Sequence, residues 1–559
     1  MQKFSEIKYV RPDVSALKKQ VNACIKRLKN AASAEEADAA LREVMDVVEQ
    51  AGTMYVVANI RNTANTRDAF YEGEMKFFNR AMPMLMPLLK KGVSALLDSP
   101  YRKDLEAKYG AQMFKNLEMQ RRNASAKIIL PSIKENNLTT LYSKTAAGCS
   151  VEFMGEKCNF YGLLRHIQST DRAERKAAFE AWAKLYEGVA PKLEAQYGKL
   201  VAVRSGIAKK LNYKNYIDYI YPSRGRYDYT AADVEKFRAA VLKYITPLCN
   251  EMYKAQAERL GLEKLTYYDE DLFYAQGNPV PQGTPEELVA AAGKMYAALS
   301  PETDEFFTFM REYGLFDLVT RENKHLGGYC TVLPSYKAPF IFSNFNGTSA
   351  DVDVLTHEAG HAFQAYYAAR RVPFMLLAGS TSEINEIHSM TMELFAYPYM
   401  DLFFGEKAEE YRLAHFCDAF RCIPYLVSVD EFQHKVFQNP GSGPADWRRY
   451  WKETEQKYMP WRNYDGNAFL ESGGFWMQKQ HIFMYPFYYV DYALAQLGAF
   501  SLYKKQTEGG DAWGSYLALC GMGGQYGYFE TLERAGIPNP LREETVKEIT
   551  EFVRGQISQ

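Results

Sequence analysis

Two histidines four residues apart, in the run His357-Glu358-Ala359-Gly360-His361, demand a helix if they are to act together. Residues i and i+4 of a helix lie one above the other on the same face. That spacing lets both imidazoles reach one metal ion, with Glu358 beside the water such an ion would activate. The competing explanation is an ordinary helix that happens to carry two histidines, so the surrounding sequence has to supply the remaining parts.

The surroundings support a helix from about 351–353 to 370. Thr348, Ser349, Asp351 and Asp353 are candidate caps, and Leu355, Ala359, Ala362, Phe363 and Tyr366 give it buried positions. Gly360 costs such a helix about 1 kcal/mol against alanine. A glycine here makes sense if another backbone or a substrate must approach closely. Most of the chain also reads as helix, as in 14–30 and 34–50, with helix starts at Ser33/Glu36, Asp171/Glu174 and Thr284-Pro285-Glu286-Glu287. Two regions break this texture. Residues 145–160 predict a small hairpin. Residues 327–347 are rich in β-branched and aromatic side chains and predict strand, turn, strand, feeding directly into the motif helix. An edge strand there, with Gly328 at its start, can pair with an extended peptide; alternatively it only supports the helix.

A zinc on two histidines needs a third protein ligand and leaves a fourth position for water. One pattern takes a histidine six residues after the motif, but Tyr367 stands there. The other takes a glutamate from a later helix. In the segment 383–394, Glu386, Ser389 and Glu393 sit at i, i+3 and i+7 on one face. Glu386 is then the preferred ligand, and Glu393 can accept the free ring N–H of a ligand histidine and fix its tautomer. Glu383, one turn earlier, is the rival ligand. His388 lies on a different face and supports the ligands, contacts substrate or is merely packed. Hydrolysis of a peptide bond also needs donors for the developing oxyanion. Near the C-terminus, Tyr489 and Tyr492 share a helix face, and Pro486 predicts the first turn of that helix, with His481 and Tyr485 on the loop before it. The alternative is an aromatic face packed in the core.

Lys and Arg number 67 against 68 Asp and Glu, so no net field favours nucleic acid or an anionic membrane. The eight cysteines are scattered without a Cys-x-x-Cys pair, as expected of buried thiols in a reducing compartment. The first residues start no apolar run, and no stretch approaches the length of a membrane span. A soluble cytoplasmic protein is expected, with a monomer favoured.

Three segments together resemble the oligoendopeptidase F and thimet oligopeptidase group of zinc metallopeptidases. They are His357-Glu358-x-Gly360-His361, Glu386-x-x-Ser389-x-x-x-Glu393, and His481 with Tyr485, Tyr489 and Tyr492. The stretch Tyr458-Met459-Pro460-Trp461-Arg462-Asn463-Tyr464 is closest to the oligoendopeptidase F branch, which includes the collagen-peptide-cleaving Pz-peptidases. The resemblance implies a mostly helical, two-lobed body around a deep channel, with one zinc bound by His357, His361 and Glu386, and Glu358 as general base. It implies that His481, Tyr489 and Tyr492 orient substrate and stabilise the tetrahedral intermediate. The interval from His481 to Tyr485 is a residue shorter than in the thimet branch, which leaves Tyr485 and Tyr488 as substrate contacts of lesser standing. An N-terminal helical lobe over 1–195 and a catalytic domain over 196–559 are expected, with no linker composition in 192–214 to mark the boundary; short peptides are the expected partners. The competing functions are a metallocarboxypeptidase and, in another class, a peptide-binding scaffold with structural zinc.

Overall fold

Local capping chemistry sets many of the helix starts. Asp13 accepts the backbone N–H groups of Ser15 and Ala16 to begin the helix Val14–Lys29. Ser33 accepts from Glu36 to begin Ala34–Ala64, while the Glu36 carboxylate reaches back to the N–H of Ala32. Thr284 and Glu287 form a capping box ahead of Pro285–Leu299. Each such bond satisfies an otherwise orphaned N–H of the first turn. The computed structural model describes residues 1–325 and 327–558, and helices dominate it.

The apolar stripes of these helices meet in shared cores. Val21, Ile25 and Leu28 pack with Leu41, Leu96, Tyr109 and Phe114, and the same cluster takes in Ala368, Val372 and Phe374. Burying that stripe anchors the C-terminal end of the motif helix, Ala350–Ala369.

Five short strands are present among the described residues. β1 (Val151–Phe153) and β2 (Glu156–Cys158) pair antiparallel, matching the expected hairpin. Met154 and Gly155 turn it with φ of 49° and 82°, the left-handed pair that suits a two-residue turn. β3 (Phe316–Val319), β4 (Tyr329–Leu333) and β5 (Ala338–Phe345) form a second sheet in the order β3-β5-β4. β4 and β5 are the expected strand-turn-strand, in register from Tyr329 opposite Phe342 to Leu333 opposite Ala338. β3 joins parallel to β5 and was not anticipated. The central strand β5 is buried along nearly its whole length and the edge strand β4 only partly, as their places in the sheet require.

The chain divides into two compact units, each built from three stretches. The first comprises Met1–Ala124, Val280–Ala408 and Gly498–Pro538; the second comprises Ser125–Pro279, Glu409–Leu497 and Asn539–Gln559. Residue 195, the expected end of an N-terminal lobe, lies inside the unbroken helix Arg172–Lys210, flanked by the buried Leu193 and Tyr197. No helix among the described residues is long and apolar enough to cross a membrane.

Candidate active site

The motif helix begins behind a clamped loop. The Asp351 carboxylate accepts the N–H groups of Asn346 at 2.9 Å and Gly347 at 2.7 Å, so it ties down the approach to the helix and leaves the cap position to Ser349, whose side chain makes no cap bond. Gly360 explains itself in the packing. A Cβ there would lie 2.7 Å from the Cα of Ser389 and 3.0 Å from the carbonyl oxygen of His388. The second helix, Ser382–Phe395, therefore crosses the motif helix in near backbone contact.

That crossing delivers Glu386 to the histidines. Its Oε2 stands 3.6 Å from His357 Nε2 and 3.5 Å from His361 Nε2. The three side chains form a group able to hold a metal ion, and Glu383, buried one turn earlier, is not part of it. Zinc bonds of 2.0–2.1 Å in a tetrahedral site place neighbouring ligand atoms about 3.3 Å apart, so the observed spacing fits that ion. Glu393 Oε1 makes a very short hydrogen bond with His357 Nδ1, which leaves Nε2 directed at the group. The Ser389 hydroxyl donates to Glu386 Oε2 at 3.3 Å. The histidines keep about a quarter of their side-chain surface (26% and 24%) open while Glu386 is buried (6%), so the group is accessible from the histidine side.

A second set of candidates gathers around His481. Its ring centroid lies 4.8 Å from that of Tyr489, 5.8 Å from Tyr485, 5.9 Å from Tyr488 and 6.3 Å from Tyr492. His481 belongs to the short helix Gln480–Met484, capped by Tyr485, and not to a loop. The following helix starts at Tyr489, so Pro486 precedes it and does not occupy its first turn. The cause is Phe487, fully buried with φ of 62°. Its N–H donates to Gln433 Oε1 at 2.9 Å and its carbonyl accepts from Arg226 at 2.5 Å.

The model of the peptidase M3 N-terminal domain matches residues 4–123, and that of peptidase family M3 matches 165–282 and 293–551. The chain belongs to peptidase family M3. The curated oligopeptidase PepF of Bacillus subtilis (strain 168) is 24% identical over 98% of this chain and 84% of its own. A solved structure of Pz peptidase A with an inhibitor is 42% identical, with a TM-score of 0.93 over 100% of this chain and 99% of that one. Oligoendopeptidase-F from Enterococcus faecium shares the fold at 19% identity, with a TM-score of 0.63 over 98% and 96% of the two chains. This M3 chain is accordingly a metallopeptidase, an oligoendopeptidase.

The electrostatics of the M3 site favour a cation. Burial alone would keep His357 neutral, yet the carboxylates of Glu386 and Glu393 outweigh it and raise its pKa well above the usual value. Burial likewise opposes charge on Glu386, and His357 and His361 overcome it, driving the carboxyl far below its ordinary range. A proton on the imidazole thus stands where a metal charge would, and metal binding must displace it. β4 and β5 pack along the motif helix. The Cys330 thiol on β4 is pushed up by burial and by the nearby Glu358 charge, which sets the edge strand beside that glutamate.

Gly328 is exposed just ahead of β4, where a Cβ would meet the carbonyl of Phe342 at 3.2 Å; close packing within its own sheet accounts for the glycine. His388 is fully buried, its carbonyl accepts from the Tyr516 hydroxyl at 2.9 Å, and burial lowers its pKa to about 3, so it is packed away from solvent. Four supporting residues are not among the sequence candidates: Gln433 at Phe487, Arg226 at both Phe487 and Asp491, and Arg224 and the buried Asp491 it pairs with; Arg224 and Arg226 reach Asp491 at 2.8 and 2.5 Å. Arg224 also sits 4.6 Å over the Tyr488 ring. Only Asp491, an acid in the first turn of a helix, carries a local signal of such a role.

Proposed function

We propose that the chain is a zinc-dependent oligoendopeptidase that hydrolyses internal bonds of short, unstructured peptides. The carrying observation is the group His357, His361 and Glu386, held by Glu393 and Ser389, with Glu358 on the same helix between the histidines. His357 and His361 through Nε2 and Glu386 through its carboxylate are the ligands. Zinc bound there would polarise the scissile carbonyl and make water a competent nucleophile at neutral pH. Glu358 accepts the proton given up as water attacks and returns it to the leaving amine, so no charged amide nitrogen has to depart. Glu393 keeps the His357 ring in one tautomer.

His481, Tyr489 and Tyr492 orient the substrate and donate to the oxyanion. A phenol can donate only while protonated, and burial holds the Tyr489 pKa well above its ordinary value. Tyr485, half exposed at 51%, and Tyr488 make lesser substrate contacts. The outer edge of β4, entered at Gly328, pairs with the peptide backbone, which holds a peptide with little regard for its side chains.

The test is Glu358→Gln with a quenched fluorescent peptide. Zinc content is expected to match the parent while kcat falls by at least about 10²-fold. Turnover near the parent value would remove Glu358 from the role. Product masses from the same peptide test the rest: successive loss of single C-terminal residues would replace internal cleavage with carboxypeptidase action.

A further inference from the structure

A second set of metal-ligand side chains lies in the other unit, on the β1–β2 hairpin and the helix Phe160–Ile167 that follows it. Glu156 and Cys158 are two apart on β2 and so point to one face. His166, in the last turn of the helix, brings its ring to the same place. One carboxylate oxygen of Glu156, Cys158 Sγ and a ring nitrogen of His166 all lie within 4.8 Å of one another.

Two features set this group apart from a chance cluster. First, His166 is prepared as a ligand. Its Nδ1 bonds Glu174 Oε1 at 2.6 Å, and Glu174 is itself held by the Ser169 hydroxyl at 2.7 Å. A carboxylate on one ring nitrogen fixes the other as the lone-pair donor, the same device that Glu393 supplies to His357. Second, that other nitrogen, Nε2, is buried and has no hydrogen-bond partner. An imidazole nitrogen that is buried without a partner, on a ring whose other nitrogen is tied by a carboxylate, calls for a partner that the chain itself does not supply. The Cys158 side chain beside it is 3% exposed, and a Cβ on Gly162 would come within 3.5 Å of its sulfur, so the helix turn closes tightly on the thiol. Phe153 packs edge-on against the His166 ring at 5.0 Å. Glu156 is the mobile member: it is exposed and currently paired with Arg165 at 2.8 Å.

We propose that Cys158, His166 and Glu156 form a second site for zinc or a similar divalent transition ion, separate from the His357–His361–Glu386 group. Thiolate, imidazole and carboxylate are a zinc donor set, and three of them leave a position for water. On binding, the Cys158 thiol gives its proton to solvent and Glu156 exchanges Arg165 for the ion. The ion ties the hairpin to the helix Phe160–Ile167 and, through Glu174, to the first turn of Arg172–Lys210.

Cobalt(II) titration of the chelator-stripped full-length protein tests this, because only the second group contains a thiolate. Two equivalents are expected to bind, one of them with a sulfur-to-cobalt charge-transfer band in the near ultraviolet. Cys158→Ser, nearly isosteric, is expected to lose the band and one equivalent while hydrolysing peptides like the parent. His166→Gln should lose the same band, and Glu174→Gln should weaken that equivalent by about 10–100-fold. A parent protein without the band overturns the proposal irrespective of how the variants fold. A band that persists in Cys158→Ser assigns it to another cysteine and overturns it equally.

Discussion

Glu393 sets the donor atom of the first group without belonging to it. With Nδ1 of His357 engaged by Glu393, Nε2 is the only nitrogen that can face Glu386 and His361. Glu393→Gln keeps the shape but removes the charge, so metal dissociation should speed up, and affinity fall by about 10–100-fold, when measured by competition with a chromophoric chelator. Activity should return at saturating zinc. Unchanged affinity would show that the tautomer is fixed by something else. Glu386 and Glu383 give a paired prediction. Glu386→Gln should abolish stoichiometric zinc by elemental analysis, whereas Glu383→Gln, one turn outside the group, should retain it. These residues were legible in the sequence because helical spacing alone brings i, i+3, i+4 and i+7 into line. Gln433 and Arg226 were not, since they reach Phe487 from 54 and 261 positions away.

At the scale of elements, the site depends on how closely two helices cross. Ala350–Ala369 and Ser382–Phe395 meet at Gly360, where added side-chain volume would press on backbone atoms of Ser389 and His388. Backbone cannot rotate aside as a flexible side chain does. Gly360→Ala should therefore separate the helices, cost about 1–3 kcal/mol, and carry Glu386 away from the histidines. A lower Tm and weaker zinc binding should appear together in calorimetry and chelator competition. A lower Tm with unchanged zinc affinity would mean that the crossing stabilises the fold without positioning the ligand. A mid-helix glycine advertises close approach but does not say what approaches. The β4–β5 hairpin was visible because both strands and their turn are contiguous. β3 was hidden because it is four residues long and pairs in parallel with a strand beyond β4. The helix Tyr489–Thr507 starts later than Pro486 predicts because a left-handed Phe487, stabilised from afar, overrides the preference of Pro486 for a first turn.

At the scale of the whole molecule, each unit is assembled from three separated stretches. A boundary of that kind leaves no linker in the sequence, which is why a cut near 195 falls within a helix. The same non-local assembly makes stability sensitive to acid at His434, in the second unit. Its side chain is 5% exposed, with Nε2 3.1 Å from the Tyr221 hydroxyl and 3.5 Å from Asp430. Burial lowers its pKa to about 4; Asp430 resists this, and Arg238 and Arg226 reinforce it. In the unfolded chain the ring takes its proton near pH 6.5. Between these values the unfolded state binds more protons than the folded one, so acid favours unfolding. The contribution is whole above about pH 6.5, falls as the pH drops towards 4, and amounts to about 3 kcal/mol across that window. His434→Gln keeps a polar side chain but cannot titrate, so its stability should decline less steeply over that interval. The comparison belongs on metal-free protein, since metal binding to histidine and carboxylate ligands carries a pH dependence of its own. Urea unfolding of parent and variant at pH 7.5, 6 and 5 reads the difference. Parallel declines would place the acid sensitivity in groups other than His434.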